Sequence, residues 1–254
     1  MKWRLKQKEY NVKPKVIVIG GPTATGKTAL SIELAKQIKG EIVSADSMLI
    51  YRGMDIGTAK PTEKEKEGIP HYMIDIINPD ERFSVADYKK GAIQAIEEIL
   101  AKGKTPIIVG GTGLYIDTLI YGIDYPDLEI DLEYRKKLEE RAEKEGLEKL
   151  YQEAMQIDPE AMQKISANDQ KRICRVLELF QATGKTKTEL EADSRKNGIP
   201  YDYHVFAIAM EREKLYERIN LRVDLMLEAR IDRRSRRDLE KVSNFSDSDA
   251  RTWL

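Results

Sequence analysis

Apolar residues follow two rhythms along this chain, and the change between them divides it. In the first part, short apolar runs (Val16-Ile17-Val18-Ile19, Ile42-Val43, Tyr72-Met73-Ile74 and Ile107-Ile108-Val109) alternate with longer stretches of helical period. Such runs, bounded by glycine or charge, read as buried strands. Between them Leu30, Leu34 and Ile38 recur at helical spacing, with Gly40 just past the expected helix end. Ser84 is placed to cap a helix running to Lys102, with apolar positions Val85, Tyr88, Ile93, Ile96, Ile99 and Leu100 and with Gly103 as its stop. Strands and helices in this alternation predict βαβ units with right-handed crossovers and a mostly parallel sheet. The segment 51–70, rich in Gly, Lys, Glu and Pro, reads as a mobile loop.

From about Asp124 the strand-like runs stop, and helical periodicity with many Glu and Lys takes over at 131–145, 147–156, 158–165, 169–182 and 188–196. Strand composition returns at 203–209, followed by a helix over 211–229 that carries Arg212, Arg218 and Arg222. The expected organisation is an α/β catalytic core at 14–123 and 201–229, interrupted by a helical insertion at 124–200, with a basic arm at 1–13 and a tail at 230–254. The fold class expected is a P-loop NTPase-like parallel sheet with flanking helices and an inserted helical subdomain.

Composition adds limits. The 254 residues carry 43 basic and 44 acidic side chains, so no global excess of positive charge advertises nucleic acid and any such partner must use a local patch. The alternating Glu and Lys at 63–67 and 133–149 read as solvated helix faces, whereas Lys171, Arg172 and Arg175 form a small basic cluster bracketed by Asp169 and Glu178. With two histidines and the single Cys174, a zinc site has too few ligands. No apolar run has the length of a signal peptide or membrane span, and a reduced, cytoplasmic protein is expected, with no obligate protein partner evident.

The chemistry begins at Gly21-Pro22-Thr23-Ala24-Thr25-Gly26-Lys27-Thr28, which fits GxxxxGK[ST] and follows the predicted strand at 16–19. Strand, glycine loop and helix in that order are what a phosphate-binding loop needs. Backbone N–H groups can wrap a polyanion, Lys27 adds positive charge, and the Thr28 hydroxyl can reach a Mg²⁺ held on the same phosphates. Glu41-Ile42-Val43-Ser44 runs directly into Ala45-Asp46-Ser47, which puts the Asp46 carboxylate just past a strand end, where ligands of open α/β sheets gather. The strand at 106–109 ends in Gly110-Gly111-Thr112-Gly113, where many phosphoryl-transfer enzymes place an acid instead. A kinase therefore fits less well than an enzyme that uses the glycine turn and Thr112 to hold a second anionic group.

Taken together, the loop at 21–28, Ala45-Asp46-Ser47, the stretch Tyr51-Arg52-Gly53-Met54-Asp55-Ile56-Gly57-Thr58-Ala59-Lys60-Pro61, Gly110-Gly111-Thr112-Gly113-Leu114-Tyr115, Asp169-Gln170-Lys171-Arg172-Ile173-Cys174-Arg175 and Thr183-Gly184-Lys185-Thr186 closely resemble the tRNA dimethylallyltransferases. The resemblance covers roughly 14–229, and 51–61 is its most specific part. It implies transfer of the dimethylallyl group from dimethylallyl diphosphate to N6 of the adenine next to the anticodon (position 37) of tRNA. The P-loop would then bind diphosphate rather than ATP. The resemblance also implies individual roles: Asp46 takes the N6 proton or orients the amine, and Thr112 lies near diphosphate and target base. Arg135 helps position the substrates, and an arginine, Arg218 in preference to Arg222, meets the diphosphate. Contacts with the tRNA anticodon arm are implied at Asp46, Ser47, Met48 and Leu49 and at Lys171, Arg172 and Arg175.

Two features depart from the family pattern. Leu49-Ile50 stands where an amide side chain is common after Met48. Past Ala229 the Arg-rich run 230–237 has no apolar stripe, so the tail is expected to be disordered, not the natural end of this fold, and a cause of reduced activity. The competing readings are an adenylate isopentenyltransferase, a small-molecule P-loop kinase and an RNA-binding module without catalysis. The helical insertion with its basic cluster argues against the first.

Overall fold

The computed structural model describes residues 13–55, 57–124, 131–194 and 198–228. The arm expected at 1–13, apart from Lys13, and the tail expected at 230–254 lie outside them. The chain divides into two compact units, one made of Met1–Ile120 with Ile199–Leu254 and the other of Tyr121–Gly198.

The first unit holds β1 (Lys15–Gly20), α1 (Lys27–Ile38), β2 (Gly40–Ser44), α2 (Glu63–Lys66), β3 (His71–Tyr72), α3 (Val85–Ala101), β4 (Thr105–Gly110) and α4 (Gly113–Ile120). After the second unit, with α5 (Leu132–Glu145), α6 (Leu147–Ile157), α7 (Pro159–Met162), α8 (Gln170–Thr183) and α9 (Lys187–Ser194), come β5 (Asp202–Ala207) and α10 (Arg212–Glu228). The five strands form one sheet in the order β3-β2-β4-β1-β5, all parallel. The parallel α/β core and the helical insertion read from the sequence are both present.

Period-two alternation sorts the strand residues between two cores. Val16, Val18, Val43 and Ile108 point to one face, where they pack with Tyr88, Ala92, Ile96 and Ile99 of α3 and Tyr115 and Leu119 of α4. Ile19, Ile42, Ile107 and Val109 point to the other and meet Ile32 and Ala35 of α1. Burial on both faces explains why these strands read as near-continuous apolar runs. Leu30 departs from its expected role: it is half exposed, because the buried stripe of α1 centres on Ser31, Ile32 and Ala35, and 100° per residue carries Leu30 away from it. Ser84 caps α3 as expected, within a reciprocal box completed by Asp87.

β3 is shorter than its apolar run because Met73 (φ 61°) and Asp75 (φ 56°) adopt left-handed backbone that ends strand geometry. In the second unit a separate core gathers Leu138, Leu150, Met162, Ile173, Val176 and Leu177. Buried Asp158 joins two of its helices, accepting from Ala161 N at 3.0 Å, Thr188 N at 2.9 Å and Thr188 Oγ1 at 2.7 Å.

Candidate active site

The carboxyl ends of β1, β2 and β4 converge on the loops that carry the sequence-predicted chemistry. Beyond β1 the chain turns at Gly21 (φ 146°), where a Cβ would lie 2.8 Å from the Ile208 carbonyl oxygen behind it. It passes through Ala24 (φ 62°) and enters α1 from Gly26 (φ 91°). Gly26 supplies no side-chain cap and the first turn of α1 holds no acid, so the helix presents free amides and its positive end to the loop. That is a local environment for an anion. Within the loop, Thr25 Oγ1 and Lys27 Nζ donate to the Pro22 carbonyl at 2.9 Å and 2.6 Å.

From α10, Arg222 Nη1 donates to Thr23 Oγ1 at 2.8 Å, and the Arg218 guanidinium lies 3.8 Å from the point a Cβ on Gly26 would occupy. The favoured Arg218 thus reaches the loop, yet it is Arg222 that is hydrogen-bonded to it. Burial pushes the Lys27 ammonium below the ordinary lysine pKa; the Asp46 carboxylate opposes this and the Arg222 charge adds to it. Lys27, Asp46 and Arg222 therefore share one electrostatic environment.

Asp46 stands two residues past the end of β2. Ala45 is clamped to β4, with Ala45 N donating to Val109 O at 2.8 Å and Thr112 N donating to Ala45 O at 3.1 Å. Ser47 N donates to Thr112 Oγ1 at 3.0 Å, and the Thr112 hydroxyl donates to Ser47 Oγ at 3.3 Å. Thr112 therefore fixes the residue after Asp46. Met48 N donates to Asp46 Oδ1 at 2.9 Å, leaving Oδ2 without a hydrogen bond among the described residues. Met48 is 45% exposed beside it, and Leu49 is half-buried. A Cβ on Gly111 would lie 3.5 Å from Gly21 O, which places the glycine turn after β4 against the phosphate loop. One cluster thus contains the loop from Gly21 to Thr28, Asp46, Ser47, Thr112, Arg218 and Arg222.

The second unit holds the other predicted residues. Arg135 meets Glu178 in a two-pronged pair, Nε to Oε1 at 2.6 Å and Nη2 to Oε2 at 2.9 Å, and Arg175 Nη1 joins the same carboxylate at 3.3 Å. The Glu178 hydrogen bonds, with burial opposing, hold the Arg135 pKa above its usual value. Arg172 pairs with Asp169 at 3.4 Å, while Lys171, exposed, has no ion-pair partner among the described residues. The bracketing acids seen in the sequence are thus the partners of two of the three basic residues.

For a metal the donor set decides. No group of three or more His, Cys, Asp or Glu side chains able to hold an ion occurs among the described residues. The exposed Thr28 hydroxyl, at the start of α1, is a hard oxygen next to the loop amides. Such a set suits Mg²⁺ that takes its other ligands from phosphate and water, the usual habit of that ion.

A glycine-rich anion loop at the end of an inner strand of a parallel sheet, with a carboxylate just past the end of the strand two places away and arginines from a later helix, defines a P-loop enzyme that handles a polyphosphate. The IPP transferase family model matches residues 49–233, and the chain belongs to that family. It is 55% identical over 213 residues to a tRNA dimethylallyltransferase of Acetivibrio thermocellus, covering 84% of this chain and 68% of that one. To the Bacillus cytotoxicus tRNA dimethylallyltransferase it is 50% identical, over 90% of this chain and 72% of the other. Among solved structures, the Staphylococcus epidermidis tRNA delta(2)-isopentenylpyrophosphate transferase is 44% identical with a TM-score of 0.61, over 93% of this chain and 77% of that one. A eukaryotic dimethylallyltransferase acting on tRNA is 32% identical with a TM-score of 0.73, over 91% and 57%.

Proposed function

We propose that this chain transfers the dimethylallyl group of dimethylallyl diphosphate to N6 of the adenine next to the anticodon in tRNA and releases diphosphate. The observation that carries the reading is the placement of the carboxylate: β4 ends in a glycine turn with Thr112, and the acid of the site is Asp46, two residues past the end of β2 and tied to Thr112 through Ser47. That arrangement suits deprotonation of a nucleophile beside a bound diphosphate.

In the reaction the bond from C1 of the dimethylallyl group to the diphosphate oxygen breaks, and its electron pair leaves with the diphosphate. A bond forms from N6 to C1, and Asp46 takes the N6 proton or orients the amine that loses it. The amides of the loop, Lys27, Arg218 and Arg222 stabilise the negative charge that grows on the leaving group. Thr28 would hold Mg²⁺ at this site, and the ion would supply further charge neutralisation when bound. The target adenine must leave its stack, which a single-stranded anticodon loop permits at lower cost than a duplex. The helical insertion at 124–200 grips the anticodon arm through Lys171, Arg172 and Arg175, and Arg135 braces this surface through Glu178. A tRNA substrate supports a cytoplasmic location.

Labelled dimethylallyl diphosphate with unmodified tRNA tests the reaction, against AMP as alternative acceptor and labelled ATP as alternative donor. Label in tRNA supports the reading; label only in AMP, or transfer only from ATP, overturns it. Lys27→Ala should weaken donor binding by about 10- to 100-fold, the scale of removing one charge-assisted bond to phosphate, with tRNA affinity nearly unchanged and no ATP consumed by either enzyme. ATP hydrolysis in step with product would point instead to phosphoryl chemistry. The triple variant Lys171→Ala, Arg172→Ala, Arg175→Ala should weaken tRNA binding and flatten its salt dependence, by about 0.7 to 0.9 of a slope unit for each phosphate that is no longer neutralised. An unchanged slope would reduce the cluster to ordinary surface charge.

A further inference from the structure

The stretch 51–61, the most family-specific part of the sequence, contributes no group to the chemistry described above, yet it contains a buried cation. The Lys60 side chain is only 5% exposed, and its ammonium meets three oxygens, two by hydrogen bond and one in an ion pair. These are the Tyr51 carbonyl at 2.7 Å, Asp55 Oδ1 at 2.8 Å and Asp75 Oδ1. Arg52 adds to the same knot, donating from Nε to Asp75 O and from Nη2 to Ile76 O, each at 2.9 Å. The segment expected to be a mobile loop is therefore fastened to the turn that follows β3.

What is fastened matters for Asp46. Only Ser47 and Met48 separate Asp46 from a short ladder in which the chain after β2 pairs with the chain after β3. Asp75 N donates to Leu49 O at 3.1 Å, Ile76 N to Ile50 O at 2.8 Å and Arg52 N to Ile77 O at 2.8 Å. Asp75 holds its place in this ladder with left-handed backbone (φ 56°), and Ala59, beside Lys60, is left-handed too (φ 48°). Such non-glycine geometry persists only where surrounding bonds over-determine it. On one side, then, the Asp46 loop is anchored to Thr112; on the other, to a ladder whose closing cross-link is Lys60.

We propose that Lys60 is a positioning residue for the transfer reaction: through Tyr51, Asp55 and Asp75 it sets the register of the 49–52 ladder and thereby the placement of the Asp46 carboxylate. This rests on the function proposed above. The buried Lys60 ammonium is engaged with Tyr51, Asp55 and Asp75, so its removal should slow the chemical step without loosening the diphosphate site.

The test is Lys60→Met, which keeps the stem and removes the ammonium, followed by single-turnover transfer to tRNA at saturating substrates. The rate is expressed per binding site counted by titration with inorganic pyrophosphate, so that misfolded protein is not scored. The expected result is a rate per site lower by about 10- to 100-fold, the scale of a displacement of about 1 Å at a reacting group. The pyrophosphate Kd should stay within about threefold, since the groups that bind the anion remain. A lowered melting temperature with an unchanged rate per site would mean that Lys60 only stabilises the fold, and would overturn the proposal. Should Lys60→Met fail to fold, Asp55→Asn decides: its side chain is 64% exposed, and removing the charge from its ion pair with Lys60 should lower the rate per site by about two- to fivefold. No change there would equally overturn it. Absence of transfer by the wild-type enzyme would defeat the function itself, a result distinct from either variant's.

Discussion

Replacing Asp46 by alanine should slow single-turnover dimethylallyl transfer by about 10²- to 10⁴-fold, the range that a positioned general base contributes. An exocyclic amine is a poor nucleophile until its proton has an acceptor, and Asp46 is the carboxylate whose charge is felt at Lys27 of the phosphate loop. Its Oδ1 is committed to Met48 N, so Oδ2 is the oxygen with lone pairs to offer. Asp46→Asn separates the two roles left open for this residue. The amide can still accept from Met48 N and hold the loop, but it cannot take the proton. A loss in Asp46→Asn as deep as in Asp46→Ala identifies a base; an Asn variant within about tenfold of wild type identifies an orienter. Donor affinity should change only a few-fold in either, because the loop amides, Lys27 and the arginines remain. Near-normal single-turnover transfer by Asp46→Ala would remove Asp46 from the chemistry.

Much of this site was legible in the sequence because its parts follow from local rules. A glycine loop after an apolar run can be read without a structure, since strand, turn and helix N-terminus are contiguous, and Asp46 and Thr112 stand out by their places just beyond strand ends. What escaped was set by contacts between distant segments. Lys60 looks like one more charge in a polar stretch, and nothing local says that three oxygens await it. Glu41 is similar: it lies in β2 with its side chain 2% exposed, paired with Lys104 at 2.6 Å and accepting from Tyr72 OH at 2.9 Å. Left-handed Met73 and Asp75 cut short an apolar run that composition alone would extend. Arg222 and Thr23 meet across almost the whole length of the core, and only the pairing of β5 beside β1 brings α10 to the loop.

The glycines of Gly110-Gly111-Thr112-Gly113 give the sharpest test of how sequence, packing and site are joined, because two of them should answer an alanine in opposite ways. A Cβ on Gly110 would fall 2.0 Å from the Ala45 carbonyl oxygen and 2.3 Å from its carbon, backbone atoms that no rotamer change can move aside. Gly110→Ala must therefore spread the ends of β2 and β4 where Ala45 N meets Val109 O and Thr112 N meets Ala45 O. Overpacking of this kind costs about 1–3 kcal/mol, or roughly 2–4 °C of melting temperature per kcal/mol in a chain of this size. The same displacement moves Asp46 relative to Thr112, so transfer should slow even in the fraction that stays folded. Gly113 begins α4, and a Cβ there meets no atom within 4 Å. Gly113→Ala should leave stability unchanged or raise it by up to about 1 kcal/mol, the helix-propensity difference between the two residues. Thermal unfolding of both variants checks the contrast. Equal melting temperatures would mean that the close approach of β2 and β4 at Gly110 is not what fixes the carboxylate and the threonine side by side.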